Sequence, residues 1–308
     1  MDLLFSVIMP VYKTEKSVIE RAIASVKKQS YSNWELLIVD DNPVDSEFKD
    51  VVKSLKTENL TENLIFVIQD DNHGANVARN IGVNMSKGKW CAFIDADDEW
   101  APYYLEKCKY IIDSNNDVGL ISSSYIIVTR GRKVIVDSKL SKGNYYLQEL
   151  KDDVVSPTSA VMVRREDLLS IKGFDESLPA RQDYDTWLRL SRTVNFVSNS
   201  SPSVYIYRNG HESISTNYMK HVNGTLMVLK KIEKLVSKED YIRIREYQYL
   251  HIAEYCIQYN AFDVAKDYAQ KCTCSKRKIK IMLICNCRWI YVAYKLVGRK
   301  VINFLATK

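Results

Sequence analysis

Along the first hundred residues, short apolar runs alternate with stretches whose apolar residues recur three and four apart. Leu3 to Met9 is apolar until Pro10, which predicts a first strand. Val18, Ile19, Ala22, Ile23 and Val26 then mark Ser17 to Gln29 as an amphipathic helix. Trp34 to Val39 reads as a second strand ending in Asp40-Asp41, Val44 to Leu55 as a polar-faced helix, and Leu64 to Ile68 as a third strand. Val77, Ala78, Ile81, Gly82 and Met85 predict a helix from about Ala75 to Ser86, and the run Trp90 to Ile94 is a fourth strand ending at Asp95. This alternation predicts an α/β fold with a mostly parallel, Rossmann-like sheet and helices on both faces. The strand ends at Pro10, Asp40 and Asp95 then share one edge, where open α/β sheets bind ligands.

Beyond a helix expected from Trp100 to Ser114, the pattern changes. Val118 to Thr129 and Arg132 to Val136 flank Gly131 like a hairpin, and Ser159 to Val163 is another short strand. Gly173-Phe174-Asp175 reads as a turn, Asp183 to Arg192 as a helix, and Ser203 to Arg208 as a last strand before Asn209-Gly210-His211. From about Asn217 the chain is almost all helix-forming and contains no proline, which places a boundary near Thr216. Residues 1–216 are expected to form the α/β domain and 217–308 a helical extension.

The formal charge of +6 changes the picture through its distribution. Nine of the 44 Lys and Arg lie between Ser275 and Lys308, where there is no acid, leaving 35 against all 38 acids in the rest of the chain. A mildly acidic body with a basic tail does not fit a nucleic-acid-binding fold, which spreads basic charge over its surface. Seven cysteines, an odd number, favour reduced thiols over a disulfide framework. Cys272, Cys274, Cys285 and Cys287 form a CxC-x10-CxC pattern that could bind zinc, but the spacing is not that of the usual knuckle. MDLLFSVIMPVY lacks the basic start of a signal peptide, and no apolar stretch reaches membrane-spanning length.

The densest chemistry lies in KWCAFIDADDEW, Lys89 to Trp100, where a buried strand ends in Asp95, Asp97 and Asp98. Carboxylates crowded at a sheet rim repel one another unless a cation or a donor-rich ligand compensates them. A hard divalent ion, Mg²⁺ or Mn²⁺, takes such oxygens and leaves positions for phosphate. The alternative is a capped loop, with Asp97 or Asp98 as N-cap of the following helix.

VIMPVYK (Val7–Lys13), VDDN (Val39–Asn42), ARNIG (Ala78–Gly82), FIDADD (Phe93–Asp98), RQDYDTWLRL (Arg181–Leu190) and YRNGHESIS (Tyr207–Ser215) occur in order. Over about residues 3–216 the chain resembles the family-two, inverting glycosyltransferases of GT-A fold. The resemblance implies that Pro10, Tyr12 and Asp41 hold the base and ribose of a nucleotide. It makes Arg79 a donor-side arginine, turns Asp95 toward the ribose, makes Asp97 a ligand of Mn²⁺ or Mg²⁺, and has His211 reach the same metal. Asp98 would hold the loop. It also makes Asp183 the base that deprotonates the acceptor hydroxyl. On a helix, residues two apart point about 200° from each other, so only one of Asp183 and Asp185 can face the crevice. Gln182 stands where the family has Glu. The Gln-x-x-Arg-Trp motif of processive synthases is absent, which favours addition of a single sugar.

Projected at 100° per residue, Arg277, Arg288, Lys295 and Arg299 fall within about 40° of one another. Ile279, Ile290, Val297, Val301 and Phe304 lie opposite, with Trp289, Tyr291 and Tyr294 as interface anchors. Such a basic amphipathic helix suits an anionic membrane surface; an ordinary packed helix is the alternative. The expectation is a peripheral enzyme at the cytoplasmic face of the membrane, using a nucleotide diphosphate sugar, with a UDP-linked donor favoured, and a lipid-linked saccharide acceptor. A nucleotidyltransferase should show a glycine-rich loop after strand one, and Val11 to Glu15 has no glycine. An inactive sugar-binding scaffold need not keep Asp97 and Asp183.

Overall fold

A computed structural model describes residues 3–59, 61–151, 154–208, 217–273 and 275–286. The chain divides into two compact units, one of residues 1–149, 153–177 and 182–211, the other of 150–152, 178–181 and 212–308.

The first unit begins with β1 (Phe5–Val11), α1 (Lys16–Lys27), β2 (Trp34–Asp40), α2 (Glu47–Glu58), β3 (Leu64–Ile68), α3 (Ala75–Met85) and β4 (Trp90–Phe93). It continues with β5 (Glu99–Trp100), α4 (Tyr104–Ser114), β6 (Val118–Thr129), β7 (Arg132–Val136) and α5 (Tyr146–Lys151). Then follow β8 (Val161–Arg164), α6 (Arg165–Ser170), α7 (Gln182–Leu190) and β9 (Asn195–Tyr207). The strands form one sheet in the order β3-β2-β1-β4-β8-β6-β9-β5, with β7 paired to β6. The first four strands are parallel; β8 runs antiparallel to β4 and to β6, and β9 is parallel to β6. Alternate side chains of β1 enter two cores, as a pleated strand requires. Val7 and Met9 pack with residues of α1, α2 and α4, whereas Ile8 packs with residues of α3, α6 and α7.

Three expectations are corrected. Proline does not stop β1, which runs through Pro10 to Val11 in register with Asp40. Ile8 O accepts from Ile94 N on the β4 side, and Val11 O accepts from Asp41 N on the β2 side. Pro10, aimed toward β4 beyond its last residue, has no ladder bond to lose. No helix begins at Trp100. Glu99 and Trp100 pair with Tyr205 and Val204 as β5, Pro102 follows, and α4 starts at Tyr104. The last strand begins at Asn195 rather than Ser203 and runs beside β6 with two irregularities in register.

The second unit contains α8 (Tyr218–Ile232), α9 (Lys238–Gln258), α10 (Phe262–Gln270) and α11 (Lys276–Asn286), with Asn217 and Ser237 capping the first two. Its core includes Ile252, Cys256, Ala265, Ile281 and Ile284. A Cβ on Gly224 would stand 2.3 Å from Ala180 O, so glycine lets α8 lie against the 178–181 backbone. The expected polarity of the tail is reversed in its described part. Arg277 donates through Nε and Nη2 to both oxygens of Glu254 at 2.8 Å and lies over the Tyr247 ring, while Ile279 is exposed. A carboxylate on α9 matches the guanidinium fork, so Arg277 faces the core. Arg288, Lys295, Arg299 and the aromatic anchors lie outside the described residues. No helix among the described residues is long and apolar enough to cross a membrane.

Candidate active site

The carboxyl ends of β1, β2 and β4 meet at one edge, as their parallel register demands. On β2, Asp40 is fully buried. It lies 3.6 Å from Lys49 Nζ and accepts from Asn42 N and Nδ2, while Lys49 also donates to Asn42 O and Gln69 O. Asn42 Oδ1 in turn accepts from Lys13 N at 2.7 Å, fixing the turn after β1 where Lys13 takes φ 46°. Tyr12, beside it, is exposed, as a ring able to stack on a base must be.

Asp41, at the end of β2, is gripped by the loop that precedes α3. Its two oxygens accept from Gln69 Nε2, Asn72 Nδ2, His73 N and Gly74 N, at 2.8 to 3.2 Å. Burial raises its pKa, and the two backbone N–H groups oppose that rise. Asp41 therefore shapes the loop leading into α3.

From α3, buried Arg79 donates through Nη2 to Asp95 Oδ1 at 2.7 Å, and its guanidinium lies 5.7 Å from the Phe174 ring centre. Its Nε and Nη1 have no hydrogen-bond partner among the described residues. The backbone N–H of Asp95 donates to Ser159 Oγ, and Trp100 Nε1 donates to Ser159 O. Asp97 is exposed, and its carbonyl accepts from Arg21 Nη2, whose guanidinium also meets Glu99 at 2.8 Å and lies over the Tyr207 ring. Asp98 is buried and accepts from Tyr207 N at 3.1 Å. Burial, then the charges of Asp95 and Asp97, hold its carboxyl well above the usual range. Neither Asp97 nor Asp98 caps α4, whose N-cap is Tyr103.

The two acids of α7 separate as their helical spacing requires. Asp185 is buried and its Oδ2 accepts from Arg189 Nε at 2.8 Å, with Arg189 held further by Ile171 O and Gly173 O. Asp183 is half-buried, and its Oδ1 accepts from Tyr184 N. One turn on, on the same helix face, Trp187 packs edge-on against Phe174, the ring under Arg79. Trp187 thus meets the ring over which Arg79 lies.

His211 lies outside the described residues, as do Cys274 and Cys287. Among the described residues no three His, Cys, Asp or Glu side chains form a ready-made metal site. Ser159, Arg21 and Phe174 were not foreseen; each acts through partners distant in sequence, and none has a local signature.

Residues 6–169, more than half of the chain, match the family described as glycosyl transferase family 2. The chain is 31% identical over 201 residues to the amylovoran biosynthesis glycosyltransferase AmsB of Erwinia amylovora, covering 62% of this chain and 65% of AmsB, less than two thirds of its length. It is 29% identical over 238 residues to WfgD of Escherichia coli, named a UDP-Glc:alpha-D-GlcNAc-diphosphoundecaprenol beta-1,3-glucosyltransferase, covering 74% of this chain and 86% of WfgD. The structure of S. aureus TarS 1–349 in complex with UDP-GlcNAc superposes with TM-score 0.68 at 18% identity, covering 96% of this chain and 93% of that one. That likeness establishes the GT-A fold.

Proposed function

The chain belongs to glycosyl transferase family 2, and we propose that this glycosyltransferase moves one sugar, with inversion, from a UDP-linked hexose or N-acetylhexosamine to a lipid-linked oligosaccharide in surface-polysaccharide synthesis. The observation that carries this is the Arg79–Asp95 pair at the strand edge. A buried guanidinium with, among the described residues, two nitrogens lacking a hydrogen-bond partner and one carboxylate contact calls for a further anion. A donor diphosphate beside it would supply that charge. The names of WfgD and AmsB support the lipid-linked acceptor and the polysaccharide setting.

In this reading Asp183 takes the proton of the acceptor hydroxyl as its oxygen attacks the anomeric carbon and the bond to the diphosphate breaks. Tyr12 stacks on the base, Pro10 shapes the strand end beneath it, and Asp41 holds the 69–74 loop around the nucleotide. The acid cluster suits Mg²⁺ or Mn²⁺, since its donors are oxygens and Asp97 is exposed beside two further acids. Asp97 would hold the ion with His211, and other positions would fall to phosphate oxygens and water. When bound, it neutralises charge on the departing diphosphate. The basic stretch from Lys276 onward would keep the enzyme at the membrane through its residues beyond Asn286.

The test is a donor screen on a sugar-diphosphate-lipid acceptor, read by mass spectrometry with Mn²⁺, Mg²⁺ or chelator. The expected product gains one hexose or N-acetylhexosamine, only with metal present. Release of pyrophosphate with transfer of a nucleotidyl group, or no transfer from any UDP-sugar, would overturn the proposal.

A further inference from the structure

The β6–β7 hairpin projects a combination of groups that the sugar-transfer site does not use. Between Asp117 and Asp137 the chain has three cations, Arg130, Arg132 and Lys133, and no acid. None of the three forms an ion pair among the described residues. Lys133 Nζ lies instead over the Tyr205 ring, 5.4 Å from its centre. Val134 and Ile135 follow, 57% and 59% exposed. Both are opposite β6 residues, Val134 to Ile127 and Ile135 to Ile126, so they stand on opposite faces of the ribbon. Each face of the arm therefore ends in a bare aliphatic side chain below a cationic tip.

The turn itself is telling. Thr129 pairs with Arg132 across a two-residue loop in which Arg130 has φ 47° and Gly131 φ 77°. That is the left-handed geometry of a type I′ turn, where Asn or Asp is the usual first residue. An arginine there accepts backbone strain and places a third cation at the apex.

The hairpin also stands beside the acid cluster, within the same unit. Lys133 is opposite Val128, Val128 is opposite Tyr207, and Tyr207 N holds Asp98. Two strand spacings put Lys133 roughly 10 Å from the Tyr207 backbone.

We propose that the tip of the β6–β7 hairpin, Arg130 to Ile135, is a membrane-docking arm that seats on an anionic bilayer, its cations on lipid phosphates and Val134 and Ile135 in the headgroup–acyl boundary. Charge complementarity selects a lipid surface rich in acidic headgroups, and paired aliphatic side chains below cations are the pattern that interfacial binding uses. The functional consequence rests on the proposed lipid-linked acceptor: docking through this arm would hold the Asp95–Asp98 rim close to where that acceptor emerges. The arm is independent of the basic residues near the chain's end.

The full chain is sedimented with vesicles of phosphatidylglycerol in phosphatidylcholine and with vesicles of phosphatidylcholine alone. Arg130, Arg132 and Lys133 changed together to Gln should weaken binding to the acidic vesicles roughly 100-fold, and leave turnover of a water-soluble acceptor unchanged. A second variant, Ile135→Trp, is compared with wild type on vesicles of brominated lipid. The fluorescence added by the new indole should shift to the blue and be quenched only on acidic vesicles. An unquenched indole on vesicles that do sediment the protein would place the contact elsewhere and overturn the proposal. So would failure to sediment at all, or a dimer in vesicle-free solution that Ile135→Lys abolishes, which would assign the edge to strand pairing. Should docking persist while wild type transfers no sugar to either acceptor, the sugar-transfer reading fails and the docking arm stands.

Discussion

Gly82→Ala should slow transfer far more than it unfolds the protein. Gly82 lies on α3 where the helix crosses β1, and a Cβ there would stand 2.4 Å from Ile8 Cγ2 and 3.2 Å from Ile8 Cγ1, against an ordinary contact of 3.4–4 Å. Ile8 is fully buried and branched at Cβ, so it has little freedom to turn away. Relief requires α3 to move out by about 1 Å, because a close-packed interior has no slack to absorb the methyl. Overpacking of this kind costs about 1–3 kcal/mol, while replacing a mid-helix glycine by alanine returns about 0.5–1 kcal/mol. The net stability loss is therefore modest, roughly 0–2.5 kcal/mol. Arg79, one turn earlier on the same helix, moves with it, and its 2.7 Å bond to Asp95 lengthens out of range. A displacement of about 1 Å at a charged positioning group is worth roughly 10² in rate. The assay is kcat for sugar transfer at saturating donor, with urea unfolding of the same samples. Ile8→Ala in the Gly82→Ala background removes both clashing carbons, so kcat should recover although stability falls further. Wild-type kcat in Gly82→Ala, or no recovery in the double variant, would refute the reasoning.

Asp183→Asn should lower turnover roughly 10²–10⁴-fold with donor affinity near wild type. Asp185→Asn should act on stability, because it loosens the buried tie to Arg189; a dead Asp185→Asn enzyme beside an active Asp183→Asn one would reverse the assignment of the two acids. Asp97→Ala should make UDP-sugar affinity, measured calorimetrically, the same with and without Mn²⁺. His221 stacks on Tyr255, with ring centres 3.7 Å apart, and burial, then Arg181 and His251, push its pKa down to about 3. The unfolded chain binds a proton below about pH 6.5 that the folded unit refuses. Stability should thus be full above that pH and fall by about 1.4 kcal/mol per unit toward pH 3. His221→Phe should flatten that slope in urea titrations at pH 7 and pH 5, and an unchanged slope would acquit the histidine.

Much of the fold is local enough to read along the chain. The four alternating strands and helices, the hairpin about Gly131 and the acids at the ends of β2 and β4 all follow from periodicity and turn chemistry, which act within a few residues. So does the divergence of Asp183 from Asp185, because helical geometry alone sends side chains two apart in opposite directions. The family followed from motifs in order, and its sheet, parallel through β3, β2, β1 and β4, follows from short crossovers.

What each acid does depended on partners that only folding supplies. Asp41 and Asp95 are both acids at the end of a buried strand, yet one gathers four donors from the 69–74 loop and the other meets Arg79. Arg277 belongs to a basic stripe on a helical wheel, and Glu254, 23 residues away, turns it inward. Pro10 continues a strand because β4 ends short of it. The hairpin stands beside the acid cluster because β9 pairs with β6 and brings Tyr207 to Asp98 across 109 residues. Sequence periodicity reports which way a side chain points from its own backbone; which group waits there is decided by chain segments too distant for any local pattern to record.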